Sequence, residues 1–222
     1  MTAFGGLRWS GAALAVALGL VAMAPTAHAH PHMYIKSETT ILVAGGTVTG
    51  FQHRWTFDEF YTAMAIQGLD TDKDGKYSRK ELADLAKVNM DGLKEFGYFT
   101  FASLGKQKLA TEPGKDYWLE HTNGQLSLHF TVMLKSPVLL EAKDFTVGVY
   151  DPSYYISFAW ASETAIKLAD NAPKTCKVTL KAAAGADTDK MDKLGEAFFQ
   201  QFGGNIGMAM ARVAEIKCGV AG

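Results

Sequence analysis

Nowhere does this 222-residue sequence hold the roughly eighteen uninterrupted apolar residues that a membrane-spanning helix needs; its apolar stretch from Ala12 to Ala24 stops at Pro25. Neither charge is in surplus. The 22 Lys and Arg face 23 Asp and Glu, a formal net charge of −1, which excludes the basic footprint of a nucleic-acid partner. Cysteine is scarce: Cys176 and Cys218 are the two present, with no C-x-x-C spacing and no histidine beside either, so a thioredoxin-type redox motif and a cysteine-rich zinc site are both excluded. H-E-x-x-H and G-x-S-x-G are missing too, which removes the common zinc-protease and serine-hydrolase signatures. The expectation is a protein that is not an enzyme.

What the amino terminus does have is order. One positive charge at Arg8 precedes the apolar stretch, and Pro25 and then Ala27-His28-Ala29 follow it. This is the sequence of parts in a secretory signal peptide with an A-x-A cleavage site. Residues 1–29 are expected to be removed, leaving 30–222 as a single periplasmic domain. A hydrophobic fraction of 48% suits a packed core. In an oxidising compartment the two cysteines most simply pair, Cys176 with Cys218. In the chain-entropy model such a loop of roughly forty residues stabilises by about 4 kcal/mol.

The most specific motif is the twelve-residue run from Asp70 to Glu81, which fits D-x-[DN]-x-[DN]-G-x5-E at every defined position. Calcium takes six to eight hard oxygen ligands, and the spacing supplies them. Asp70, Asp72 and Asp74 offer carboxylates, Gly75 allows the sharp turn, the Lys76 carbonyl and Ser78 follow, and Glu81 closes bidentately. A second loop beginning Asp187-Thr188-Asp189 fails, since Met191, Asp192 and Phe198 stand where an acid, a glycine and a glutamate belong. A lone loop of this kind points to a structural rather than a signalling ion.

Around the loop the pattern is mixed. Tyr34 to Val43 and Thr47 to Trp55, separated by Gly45-Gly46, read as a β-hairpin. Thr56-Phe57-Asp58-Glu59 reads as a capping box opening a helix whose apolar face is Phe57, Phe60, Tyr61, Met64 and Gly68. Leu82, Leu85, Ala86, Leu93 and Phe96 predict a second helix, so an EF-hand-like helix-loop-helix is expected over about 57–96. Short strands follow: 98–104, 117–121, 126–134 around the Asn123-Gly124 turn, 145–150, 154–160, 176–180 and 213–218, with a helix over 187–202. The predicted fold class is therefore α+β: a single, mostly antiparallel β domain with an inserted EF-hand-like unit, a C-terminal helix and one disulfide.

Cleavage after Ala29 would begin the mature chain His30-Pro31-His32, two imidazoles and a free amine. Imidazole suits zinc, nickel and cobalt. The square-planar chelate that uses deprotonated backbone amides is forbidden, because Pro31 has no N–H to lose. If Gly45-Gly46 is a two-residue turn, His53 lies opposite Glu38 and His32 opposite Glu59. That register separates His53 from the terminus and brings Asp58 and Glu59 towards it, predicting a mixed site of His30, His32, Asp58 and Glu59. His121 and His129 read as sheet histidines, and Met208 and Met210 as helix core.

Taken together, His30-Pro31-His32, the segment Trp55-Thr56-Phe57-Asp58-Glu59-Phe60, the acidic loop, Tyr98-Phe99-Thr100, Tyr150-Asp151-Pro152-x-Tyr154 and the late cysteines resemble the bacterial family catalogued as domain of unknown function 1007. The resemblance covers essentially all of the mature chain. It implies a periplasmic component of an ABC-type transport system associated with zinc, nickel or cobalt, and it adds Asp151 to the candidate transition-metal residues as a family-motif residue. It carries no established ligand set. A two-lobed solute receptor would need alternating βαβ units, which this pattern lacks. The expected function is thus an accessory protein that binds metal ions, capturing or delivering zinc, nickel or cobalt for an inner-membrane metal transporter, with calcium fixing its fold. The alternatives are a calcium-stabilised secreted interaction domain and a metalloenzyme built on the terminal histidine.

Overall fold

A computed structural model describes residues 31–181 and 205–219. The expected leader over 1–29, His30, the helix expected over 187–202 and the Asp187 repeat lie outside the described residues.

The first hairpin forms as its sequence dictates. Strands β1 (Met33–Ala44) and β2 (Thr47–Phe57) join through Gly45 and Gly46, both at positive φ (56° and 73°), the conformation that a two-residue I′ turn requires. Ala44 faces Thr47 and Val43 faces Val48, but a bulge between Leu42 and Val43 shifts the ladder, so that Thr39 pairs with His53 and Glu38 with Arg54. The expected pairing of His53 with Glu38 is therefore one residue out. A one-residue slip changes the face on which a side chain stands, and His53 stands on the inner one.

Two sheets pack face to face. In the first, β5 (Lys115–Thr122) and β6 (Gln125–Leu139) form a hairpin around Asn123 and Gly124, again both at positive φ. β6 pairs β2, and β1 carries two parallel partners, β8 (Ile156–Trp160) and β9 (Ile166–Leu168). The order is β5-β6-β2-β1-β8, with β9 also on β1. At the β2–β6 irregularity a Cβ on Gly50 would stand 2.6 Å from the Val132 carbonyl oxygen, so only glycine allows the backbones to approach there. The second sheet, all antiparallel, contains β3 (Thr100–Leu104), β4 (Gln107–Lys108), β7 (Phe145–Val149), β10 (Cys176–Lys181) and β11 (Val213–Cys218), in the order β10-β11-β7-β3-β4. Cys176 and Cys218 face each other across β10 and β11 and form the disulfide.

Both sheets feed two apolar clusters. One gathers Ile35, Trp55, Leu128 and Phe130 with Tyr98, Phe99 and Val149; the other gathers Ile41, Phe51 and Leu134 with Phe145, Val147 and Ala214. Polar side chains are buried as well, Ser37, Thr39 and His53 of the first sheet and Thr100 of the second.

Helices are few. α1 (Glu59–Ala65) and α2 (Ala83–Leu93) flank the acidic loop, a 3₁₀ turn spans Lys94–Phe99, and α3 (Ile206–Met210) precedes β11. The helix start is corrected: β2 runs on through Phe57, so Thr56 is still a strand residue, hydrogen-bonded to Ser127. Asp58 is the N-cap, its carboxylate accepting from the Tyr61 N–H. The expected apolar face is also turned. Phe60 is 79% and Met64 54% exposed, whereas Thr62 is buried and Tyr61 and Ala65 pack on the first cluster.

Candidate metal centre

The loop from Asp70 to Glu81 builds itself from local hydrogen bonds. The Asp74 N–H reaches carboxylate oxygens of Asp70 and Asp72 at 3.1 and 3.2 Å, Gly75 N–H donates to Asp70 at 3.1 Å, and Lys76 N–H donates to Asp74 at 2.7 Å. Short acidic side chains capturing the N–H groups that follow them are what fold such a turn. Gly75, at φ 77°, takes the left-handed conformation that glycine adopts without strain. The result draws ligand oxygens of Asp70, Asp72 and Asp74 to within 4.8 Å of one another. No ion pair neutralises these three among the described residues. Converging carboxylates without a counter-charge repel, and their hard oxygens, at this separation, fit the donor set a calcium ion takes.

Glu81 stands at the far end. One carboxylate oxygen accepts from the N–H and hydroxyl of Thr71, the other from the N–H and hydroxyl of Ser78. These hydrogen bonds to the charged form, those from Ser78 first, hold its pKa down to about 2. The carboxylate is thus ionised and braces the two ends of the loop, and Glu81 stands outside the cluster of three. The structure brings Asp70, Asp72 and Asp74 together, while the expected helix-loop-helix is loose: α1 ends at Ala65, four residues before the loop, and α2 begins at Ala83, after it.

The loop is not free of the sheet. Tyr77 meets His121 of β5 edge-on at 4.9 Å, and the Arg79 guanidinium lies 4.7 Å above the Trp118 ring. Trp118 in turn stacks on His129 at 4.6 Å. His121 and His129 are sheet histidines, as their positions beside the Asn123-Gly124 turn predicted.

The transition-metal candidates are arranged differently. His32 is exposed, stacks on Tyr155 at 4.7 Å, and donates its backbone N–H to the Tyr155 carbonyl. Asp58 uses one oxygen on Tyr61 N–H and the other on Tyr34 N–H, both at 2.8 Å. Asp151 is buried; one oxygen accepts from the N–H and hydroxyl of Ser153 and the other from Ile156 N–H. Glu59 is exposed at the start of α1. Among the described residues, His32, Asp58, Glu59 and Asp151 do not converge as a cluster of ligand atoms. The carboxylates of Asp58 and Asp151 fix backbone instead.

Two features escape the sequence. His53 is buried between hydroxyls: its Nδ1 lies 2.9 Å from Thr39 Oγ1 and its Nε2 3.2 Å from Thr100 Oγ1. Thr100 spends its proton on the Tyr98 carbonyl, so the network requires Nε2–H to donate to Thr100 and leaves Nδ1 to accept from Thr39. Burial lowers the His53 pKa to about 3. The alternation of β2 hints at an inward residue here, but no sequence signal names its partners. The second feature is an apolar groove of about 530 Å³ between α2, the 3₁₀ turn and the loop after β7, formed by segments some sixty residues apart in order of magnitude, a separation that a tertiary fold closes and a local pattern does not.

Comparison with known proteins adds relatives without an assigned role. The profile of a family described as "Protein of unknown function (DUF1007)" matches residues 15–218. An "Uncharacterized protein" of Haemophilus influenzae (strain ATCC 51907 / DSM 11121 / KW20 / Rd) is 32% identical over 138 residues, 62% of this chain and 66% of its own length. An "Uncharacterized 15.5 kDa protein in trpE 3'region" of Spirochaeta aurantia is 30% identical over 108 residues, 47% of this chain and 76% of its own length. No solved structure matches.

Proposed function

The chain belongs to the family described as Protein of unknown function (DUF1007), and from its residues we propose an exported, periplasmic metal-binding protein whose loop from Asp70 to Glu81 holds calcium in an EF-hand-like site. One observation carries the reading. Three aspartates fixed by their own turn converge within 4.8 Å without a counter-charge, in a loop whose sequence matches the calcium pattern throughout. Asp70, Asp72 and Asp74 would bind the ion, with the Lys76 carbonyl, Ser78 and Glu81 completing the shell once Glu81 exchanges its Thr71 and Ser78 donors for it. The ion would supply charge neutralisation and rigidity. The disulfide supports the extracytoplasmic placement, since such bonds persist in oxidising compartments, and the leader-like residues 1–29 support the same reading.

A second metal reading rests on the terminus. The His32 ring is exposed and makes no hydrogen bond among the described residues, in contrast to the locked His53. With His30 and the new amine it would capture zinc, nickel or cobalt for delivery to a membrane transporter. Asp58 and Asp151 keep their backbone roles.

One set of titrations on purified protein tests both. Calcium is expected to raise the melting temperature, a chelator to lower it, and Glu81→Gln to weaken the response. Trp118 emission should change with calcium, because Arg79 of the loop lies over its ring. Melting and emission indifferent to calcium would overturn the first reading. Zinc or nickel binding is expected to vanish in His30→Ala with His32→Ala, and binding unchanged in that double variant would overturn the second.

A further inference from the structure

We propose that the apolar groove between α2, the 3₁₀ turn and residues 151–156 is a docking site for a segment of a partner protein that presents leucine-like side chains beside a lysine or arginine. The inference is independent of any bound metal. Leu93, Phe99 and Ile156 line the groove, and Val88, Phe96 and Tyr155 stand along it with more than half of their surface in water. Among the described residues nothing covers this patch, and an exposed apolar patch of this kind marks an interaction surface.

The polar groups within the groove are already spent. Asp151 accepts from Ser153 and Ile156, and Asn89 accepts from the Tyr61 hydroxyl while donating to the Leu85 carbonyl. What remains is apolar surface and one carboxylate, Glu95, which makes no ion pair among the described residues. Among the described residues no lysine, arginine or histidine lines the groove. Its electrostatic complement is therefore a cation set in an apolar segment. A chain segment fits better than a small molecule, because α1, tied to α2 through the Tyr61–Asn89 hydrogen bond, also turns Phe60 and Met64 to solvent.

The backbone on both sides of the groove points the same way. Phe99 on one wall, the buried Tyr98 before it and Tyr154 beside the other wall have φ of 44°, 55° and 60°, a left-handed conformation that strains a bulky residue and clusters at binding sites. Phe96 stacks on Phe99 at 5.2 Å, so this strained turn is what presents the aromatic lining.

The test uses two fluorescein-labelled amphipathic peptides with the same leucine pattern, one carrying lysines and one glutamates, titrated into the purified protein by anisotropy. The leucine–lysine peptide is expected to bind saturably and at least about tenfold more tightly than its leucine–glutamate counterpart, a difference of about 1.4 kcal/mol. Glu95→Lys should reverse that preference. Val88→Ser with Phe96→Ser, both exposed positions, should weaken binding of the lysine peptide about tenfold while leaving circular dichroism and melting unchanged. Absence of saturable binding, equal affinity for the two peptides, or binding indifferent to the substitutions would each overturn the proposal.

Discussion

His53 is an imidazole that the fold needs neutral. It donates to Thr100 across the gap between the two sheets and accepts from Thr39, its partner on the neighbouring strand β1, and its ring packs against Phe130 at 4.9 Å and Trp55 at 5.9 Å. The immediate surroundings are hydroxyls, aromatic rings and the Tyr98 carbonyl; among the described residues no carboxylate forms an ion pair with it. Its pKa falls from 6.5 to about 3. The unfolded chain therefore binds the proton over an interval in which the folded chain does not. Stability from this group is fully present above about pH 6.5 and is lost progressively as the pH drops towards 3, by several kcal/mol in all. Urea denaturation at pH 7 and pH 4.5 is expected to show this loss, and His53→Phe should flatten it while costing about 1–3 kcal/mol at pH 7, because Thr39 loses its buried partner. Equal pH dependence in the two proteins would refute the assignment. No composition or motif distinguishes this histidine from His121 or His129; the bulge at Leu42/Val43 does, by turning it inward.

Among the elements, α1 illustrates how local signals compete. The capping box read at Thr56 is displaced to Asp58 by the strand: β2 keeps pairing with β1 through Phe57, so Asp58 is the first residue free to cap. Asp58 does two jobs, since its second oxygen accepts from Tyr34 of β1. Asp58→Ala is expected to cost about 1–2 kcal/mol, above an ordinary cap because a strand N–H is also left without its partner, and Asp58→Asn less. Thermal melts of the two variants check this order; an alanine variant as stable as the native protein would refute it. The loop from Asp70 to Glu81 is the opposite case. Its turn comes from aspartates binding N–H groups two to five residues ahead, and Glu81 closes it by reaching back to Ser78 and Thr71, so the spacing that identifies it in the sequence is the spacing that builds it. The hairpins at Gly45-Gly46 and Asn123-Gly124 share that property.

For the molecule as a whole, the disulfide joins β10 to β11 at the edge of the second sheet, closing a sequence separation of 42 residues. Reduction is expected to lower stability by about 4 kcal/mol in the chain-entropy account, read as a lower urea midpoint; an unchanged midpoint would show that the bond constrains little in the unfolded chain. The sheets themselves were legible in kind, because alternating apolar residues and turn signals recur through the strands. Their order was not. The parallel pairing of β8 and β9 with β1 joins residues more than a hundred positions apart, and nothing in either segment names the other. By itself, then, the sequence determined what depends on neighbours along the chain: the two tight turns, the acidic loop, the strand-rich character and, through redox chemistry, the cysteine pair. The tertiary structure alone decided the inward turn of His53, the backbone duties of Asp58 and Asp151, and the apolar groove beside Tyr155. Those follow from register and sheet order, which are set by the best joint burial of distant segments rather than by any local preference.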